Sequence, residues 1–371
     1  MPIIGDHSFS IARSLNRRDV LRGSLGAAAA LRVASATERG QDTSGSITDV
    51  GDIRVGHFTD HRRPTGCTVV LFDSDAVAGV DVRGGSPGTR ETDVLQPTNT
   101  VQNVHGILLS GGSAYGLDAA GGVMRYLEEN GRGFHLGSAV VPIVPAAILF
   151  DLHVGDGSIR PDVKAGYAAC QAASSSRVPE GNVGAGAGAT VGTFFGIQSA
   201  MKGGMGTASR RIGTSGLVVG AIVAVNCVGD VLDWKTGKII AGALTSDRSR
   251  FRCTMDEIAN GYLLGGGQPR TGENTTIGVV VTNAKLDKTQ ATKIAQMAQD
   301  GFARTINPVH TAADGDTVFA AGTGTSPIKV DVTTLGSVAA DVMARAVDRA
   351  VLAASSIPGF LAHRDLPASI Q

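Results

Sequence analysis

The stretch Gly272-Glu273-Asn274-Thr275-Thr276-Ile277-Gly278-Val279-Val280-Val281 joins a glycine-rich segment, Leu264 to Asn274, to a run of strand-forming residues. β-Branched side chains fit a pleated, half-buried surface, so the run from Ile277 reads as a strand. The threonine pair opens it. About thirty-five positions later stands His310-Thr311-Ala312-Ala313-Asp314-Gly315-Asp316-Thr317-Val318-Phe319, where two carboxylates flank one glycine just before a second apolar strand. The arrangement suits an enzyme that cuts its own backbone before Thr275 and then works with the new N-terminal threonine.

A threonine hydroxyl in mid-chain is a poor nucleophile unless a base stands beside it. An N-terminal threonine carries its own candidate, the α-amine, whose unperturbed pKa is about 7.7–8.0. To free that amine, the hydroxyl must first attack the carbonyl of Asn274, giving an ester that water then splits. The glycine-rich loop permits the strained peptide geometry of that step, and the following strand holds the nucleophile still. Threonine is also common where ordinary strands begin, and the junction taken alone reads more readily as a plain loop-to-strand connection.

Working outward, Cys67 to Phe72 and Ala76 to Val82 read as two short strands, and Arg83 to Thr92 as a Gly/Pro loop. Gly106 to Leu109 is strand-like and runs through Gly111-Gly112 into a helix from Ala114 to Glu129, with Leu117, Ala120, Val123, Met124 and Leu127 at helical spacing. Val140 to Phe150 is apolar and interrupted by proline, and Asp162 to Ser174 reads as a small-residue helix. Leu217 to Val228 is a continuous apolar run of the kind buried strands show. Asp287 caps a helix from Lys288 to Ile306, with Pro308 beyond its end, and Thr334 caps the last helix. Alternation on this scale fits an α/β or α+β layered domain, and spacing does not separate the two.

With 371 residues the chain can bury a sizeable core in one large domain. Its 33 basic residues balance 33 acidic ones, which argues against the footprint of a nucleic-acid binder. Cys67, Cys170, Cys227 and Cys253 are widely spaced, form no CxxC, and read as buried free thiols rather than disulfides. The eight histidines show no metal-ligand spacing, so neither a metal nor a cofactor is expected.

At the N-terminus, Asn16-Arg17-Arg18-Asp19-Val20-Leu21-Arg22 reads as a twin-arginine export motif. A weakly apolar segment, Gly23 to Val33, and a small-residue cleavage site, Ala34-Ser35-Ala36, follow it. The apolar segment is too short to span a bilayer, so no stable membrane insertion is expected. The mature chain is expected to be periplasmic or secreted, with Glu38 to Thr48 as a polar tail.

Asn274-Thr275-Thr276-Ile277, Asp314-Gly315-Asp316-Thr317, Gly111-Gly112-Ser113-Ala114-Tyr115-Gly116-Leu117 and Gly184-Ala185-Gly186-Ala187-Gly188-Ala189-Thr190 occur at separations that suit one family. Together, over about Ile47 to Ala354, they resemble the L-aminopeptidase/D-esterase (DmpA-type) family of self-processing N-terminal-nucleophile hydrolases. That family includes β-peptidyl aminopeptidases and nylon-oligomer hydrolases. The resemblance implies an α+β fold, a four-layer αββα sandwich of the kind also found in ornithine acetyltransferases. With the signal peptide read at 1–36, it divides the rest of the chain into an α fragment (37–274) and a β fragment (275–371) of one catalytic domain. It implies peptide, small-amide or ester substrates and a homotetramer of processed protomers. Acyl transfer on the related fold and endo-cleavage of nylon-type oligomers stand as alternatives.

The same resemblance assigns roles. Thr275 is the nucleophile, Asn226 the oxyanion donor, and Asp314 and Asp316 the pair that hydrogen-bonds the Thr275 amine and hydroxyl. Asn226 draws notice on its own, because an amide inside the apolar run Ala221 to Cys227 needs partners. Gly112, Ser113, Tyr115 and Phe150 are expected on the substrate wall. Gly111 to Tyr115 misses the G-x-S-x-G elbow, because Tyr115 stands where the last glycine belongs. Gly184 to Gly192 is not a dinucleotide loop, since no apolar strand precedes it. Two positions depart from the family. Thr193 stands where many relatives carry lysine, with Lys202 a candidate replacement. Val144-Pro145-Ala146-Ala147 lacks the glutamate that reads a substrate amine in β-peptidyl aminopeptidases, with Asp151 nearby in sequence.

Overall fold

A computed structural model of the protein describes residues 45–263, 274–368 and 370. The export motif, the signal cleavage site and the glycine-rich loop 264–273 lie outside the described residues.

The fold is built from strands Ile53–Asp60 (β1), Thr65–Val82 (β2) and Asn103–Ser110 (β3), helix Ala119–Glu129 (α1), strand Ala146–Ile148 (β4) and helix Val163–Gln171 (α2). Strands Gly204–Arg211 (β5), Val218–Val225 (β6) and Ile277–Thr282 (β7), helix Lys288–Thr305 (α3), strand Thr317–Gly322 (β8) and helix Val332–Ala353 (α4) follow. The main sheet runs β5-β6-β7-β8-β2-β3-β4. β2 belongs to two halves of it. Its first part pairs with β1 and β3, its last part with β8, and its register against β3 shifts between Leu71 and Ala76.

Side-chain alternation turns this strand order into layers. On β6, Ile222 and Ala224 face a core shared with Val70, Ile107, Leu109, Val279 and Phe319 from both halves of the sheet. Ala221, Val223 and Val225 face the other way, into a core completed by Ile294, Phe302, Leu335 and Val342 of α3 and α4. In the other half, Val69, Leu71 and Leu108 meet Ala119, Val123, Ala165 and Ala169 of α1 and α2. The result is helices, sheet, sheet, helices, the α+β sandwich expected. Strands buried on both faces explain why β6 and β7 read as unbroken apolar runs.

Several local expectations are corrected. Cys67 to Phe72 and Ala76 to Val82 are one strand, not two. Asp73-Ser74-Asp75 between them is exposed and polar, but the backbone passes through it as an irregularity in the ladder. The last helix is capped by Asp331, whose carboxylate accepts from Thr334 N at 2.9 Å; Thr334 is its third residue. The helix expected from Ala114 begins as a 3-10 turn, Ser113–Asp118, entered through Gly112 at φ 87°. The tail reading stops short of Thr48, because Ile47 is buried and its N–H donates to Thr207 Oγ1 at 2.8 Å. Asp287 does cap α3, in a reciprocal box with Gln290. All four cysteines are free thiols. No helix of the described residues is long and apolar enough to cross a membrane.

Candidate active site

The strand order decides what meets Thr275. β7 and β8 are parallel, with Ile277 opposite Thr317, so the residues just before each strand share one sheet end. β6 is antiparallel to β7, with Ala224 opposite Ile277, so it delivers Asn226 to the same end. Three distant segments, 226–228, 274–276 and 310–316, are thereby brought together. Thr275, Asn226, Asp314 and Asp316 are each at most 2% exposed.

The peptide before Thr275 is held on both sides. The Asn274 carbonyl oxygen accepts from the Thr275 hydroxyl and from Gly315 N at 3.0 Å. Thr275 N donates to the Asn226 carbonyl at 2.7 Å. Thr193 Oγ1 donates to Asn274 Oδ1 at 2.8 Å. Residue 315 has to be glycine for this geometry, since a Cβ there would sit 2.7 Å from Thr275 Oγ1 and 2.7 Å from the Ser86 carbonyl oxygen.

The carboxylates act one step away from the place expected of them. Asp316 accepts from Thr276 N at 2.9 Å on one oxygen, and from His310 N at 3.1 Å and His310 Nδ1 at 2.9 Å on the other. Asp314 accepts from Val228 N at 3.3 Å and from the amide and hydroxyl of Thr311. Neither carboxylate hydrogen-bonds the Thr275 hydroxyl or nitrogen in the intact chain; both fix the backbone that carries Thr275. Burial, reinforced by the neighbouring Asp316 charge, pushes the Asp314 carboxyl up to about 7. The Asn226 amide is also engaged, accepting from Thr190 N at 2.9 Å and donating to the Phe150 carbonyl at 3.1 Å.

Phe150 thus reaches the site through its backbone, and its ring lines a narrow, largely enclosed cleft with Thr190, Thr193, Ile197 and Asn274. Gly112 stands behind that cleft, its N–H donating to Asp151 at 2.9 Å, and Ser113 N donates to the Leu149 carbonyl. Tyr115 is not brought to this cleft. It is 61% exposed, stacks under Arg160 and lines a separate, open pocket with Arg90 and Pro161.

Lys202, the candidate replacement for a lysine at 193, is engaged by the backbone. It is fully buried, and its ammonium donates to the carbonyls of Gly186, Ala189 and Gly203 at 2.9, 3.1 and 3.2 Å. Burial pushes it down to about 7, while three carbonyl acceptors match the three donors of the charged form. Asp151 is equally occupied, by Arg63, by Thr65 Oγ1 at 2.6 Å and by Gly112 N. Gly315, Thr311 and the Thr193–Asn274 contact had no role in the sequence reading. They act through backbone groups or short hydroxyls that only the strand pairing aligns.

The layered fold is shared with a solved variant of the N-terminal-nucleophile hydrolase fold. The solved L-aminopeptidase D-Ala-esterase/amidase of Ochrobactrum anthropi, described as a variant of that fold, superposes with a TM-score of 0.63. It is 20% identical, and the match covers 89% of this chain and 95% of that one. The model of Peptidase family S58 matches residues 45–364. An uncharacterized aminopeptidase of Mycobacterium leprae is 46% identical over 85% of this chain and 92% of its own. A 6-aminohexanoate-oligomer endohydrolase of Kocuria sp. is 30% identical over 81% of this chain and 84% of its own. The chain belongs to peptidase family S58 and is accordingly a hydrolase of amide bonds.

Proposed function

We propose that the protein cleaves itself between Asn274 and Thr275 and then hydrolyses peptides or small amides with Thr275 as an N-terminal nucleophile. The observation that carries this reading is the shared acceptor: the Thr275 hydroxyl and Gly315 N–H both point at the Asn274 carbonyl oxygen. The hydroxyl therefore lies against the carbonyl it must attack, and an amide donor already faces the oxygen on which charge develops. In the first step Oγ1 bonds to the Asn274 carbonyl carbon and the C–N bond to Thr275 breaks. The hydroxyl proton ends on the leaving nitrogen. Water then attacks the ester, Oγ1 recovers a proton, and Asn274 leaves as a carboxylate.

The freed amine keeps the Asn226 carbonyl as its nearest acceptor, and that orients it toward its own hydroxyl as general base. Asn226 Nδ2 has one proton on Phe150, and its second serves the oxyanion of the substrate. A donor in that role contributes about 3 kcal/mol. Asp314 and Asp316 are positioning residues, acting through Val228, Thr276 and His310.

Membership of a peptidase family and similarity to an oligomer endohydrolase leave free-amine and internal amides both in view. The carboxylate lining the cleft, Asp151, is neutralised by Arg63 and is not free to read a substrate ammonium. The reading is therefore that uncharged or internal amides are accepted at least as well as free-amine peptides. Export through the twin-arginine route, a periplasmic or secreted location and a homotetramer of processed protomers complete it. N-terminal sequencing of the small fragment seen on denaturing electrophoresis tests the core of the proposal, which requires it to begin Thr275-Thr276-Ile277. Comparing kcat/KM for an aminoacyl anilide and its N-acetylated counterpart tests the specificity; a free-amine preference above about a hundredfold would overturn that part alone. Product analysis with an added amine acceptor separates hydrolysis from acyl transfer.

A further inference from the structure

Self-cleavage and turnover pass through the same kind of ester, an acyl group on Thr275 Oγ1. During processing the acyl group is that of Asn274; during turnover it is that of the substrate. Whatever holds the Asn274 side chain in the intact chain therefore holds the substrate's acyl side chain later. This argument rests on Thr275 being the nucleophile.

Asn274 is buried, being 3% exposed. Its Oδ1 accepts the Thr193 hydroxyl at 2.8 Å. Around it, Phe150, Val154 and Ile197 supply apolar walls to the narrow cleft that Asn274 and Thr193 share. Thr193 is fixed in place by its own backbone. Gly192, at φ 75°, opens the 3-10 turn Thr193–Phe195, and a Cβ there would meet Ala243 N at 2.1 Å. Gly192 N donates to the carbonyls of Cys227 and Gly229 at 3.2 and 3.1 Å. Phe194 N donates to the Val228 carbonyl at 3.3 Å. The hydroxyl is thus tied to the segment whose Asn226 carbonyl holds Thr275 N and whose Val228 N–H holds Asp314.

We infer that Thr193 is the specificity-determining residue of an acyl-side subsite that prefers substrates with a short side chain ending in a hydrogen-bond acceptor, asparaginyl amides above all. Asparagine is already accommodated there in the intact chain, and leucine is its near-isostere without the acceptor. The hydroxyl separates those two near-isosteres, since a donor built to meet an acceptor is left unpaired when the acceptor is missing.

The test uses the processed enzyme, with N-acetyl-asparaginyl and N-acetyl-leucyl p-nitroanilides as probes. Processing is checked first, by sequencing the fragment that starts at Thr275. The wild type is expected to favour the asparaginyl substrate in kcat/KM by roughly tenfold. In Thr193→Val the ratio is expected to fall to near one, and in Thr193→Ser to return toward wild type. A general loss of structure would lower both substrates together and leave the ratio unmoved. If the fragment begins at Thr275 but the ratio is near one in wild type, or is unchanged by Thr193→Val, the inference is wrong and the nucleophile assignment stands. If no fragment begins at Thr275, both fall.

Discussion

Two buried polar clusters serve the same cleft and differ in what they leave available. In one, the Asp151 carboxylate is taken up by Arg63, Thr65 and Gly112 N, and Lys202 hands its three donors to three carbonyls. In the other, Gly315 N and the Asn226 carbonyl hold the oxygen and the nitrogen of a single peptide bond, and Asp314 and Asp316 fix the backbone around it through Val228 N and Thr276 N. Both are buried and both contain carboxylates. Burial and charge do not tell them apart. What distinguishes the second is that a backbone donor and a backbone acceptor converge on the peptide bond proposed to break, whereas in the first Asp151 and Lys202 are taken up by their own partners.

That contrast predicts opposite signatures. The largest effect belongs to the Arg63–Asp151 cluster. Arg63→Met leaves the Asp151 carboxylate buried without its partner and is expected to cost about 3–5 kcal/mol of stability. Thermal or denaturant unfolding measures this, and a wild-type midpoint would show that the pair carries no structural load. Asp316→Asn is expected to act the other way round. It weakens the acceptor for Thr276 N and His310, and self-cleavage should slow roughly tenfold or more with a smaller change in melting. Cleavage within twofold of wild type would return the Asp-Gly-Asp turn to an ordinary loop.

The smallest effect is a pH dependence. The native chain keeps a proton on Asp314 up to about 7, whereas an unfolded aspartate releases it near 3.8. Between those values the native state binds more protons, so this group makes stability fall as pH rises. Asp348, also raised to about 7 by burial, contributes with the same sign. In an uncleaved Thr275→Ala background, adding Asp314→Asn should flatten the decline in Tm across that interval by about 2 °C or more. Parallel Tm curves for the two variants would mean that Asp314 titrates as an ordinary carboxylate.

The sequence made the strands legible where both faces are buried, as in Val218–Val225, and the α3 cap where Asp287 and Gln290 stand three apart. It also exposed Asn226, because an amide in an apolar run needs a reason. Pairing was not legible: nothing local says that β7 and β8 lie parallel with Ile277 opposite Thr317, yet that register alone puts Gly315 N on the Asn274 carbonyl. Backbone donors carry no residue signature, which is why Gly315 went unnoticed between two aspartates that did not. Thr193 was visible only as a missing lysine; its hydroxyl gained meaning from the Asn274 side chain it meets. Tyr115 belonged to a recognisable motif, but the 3-10 turn after Gly112 carries it to a different pocket.

The claim on which the rest depends is that the chain breaks before Thr275. The direct measurement is the intact mass of the purified wild type and of Thr275→Ala, prepared and incubated side by side. The account predicts that the wild type yields a species with the mass of residues 275–371, while Thr275→Ala stays uncut. A wild type that remains one chain after prolonged incubation, or a fragment beginning at any other residue, would contradict it.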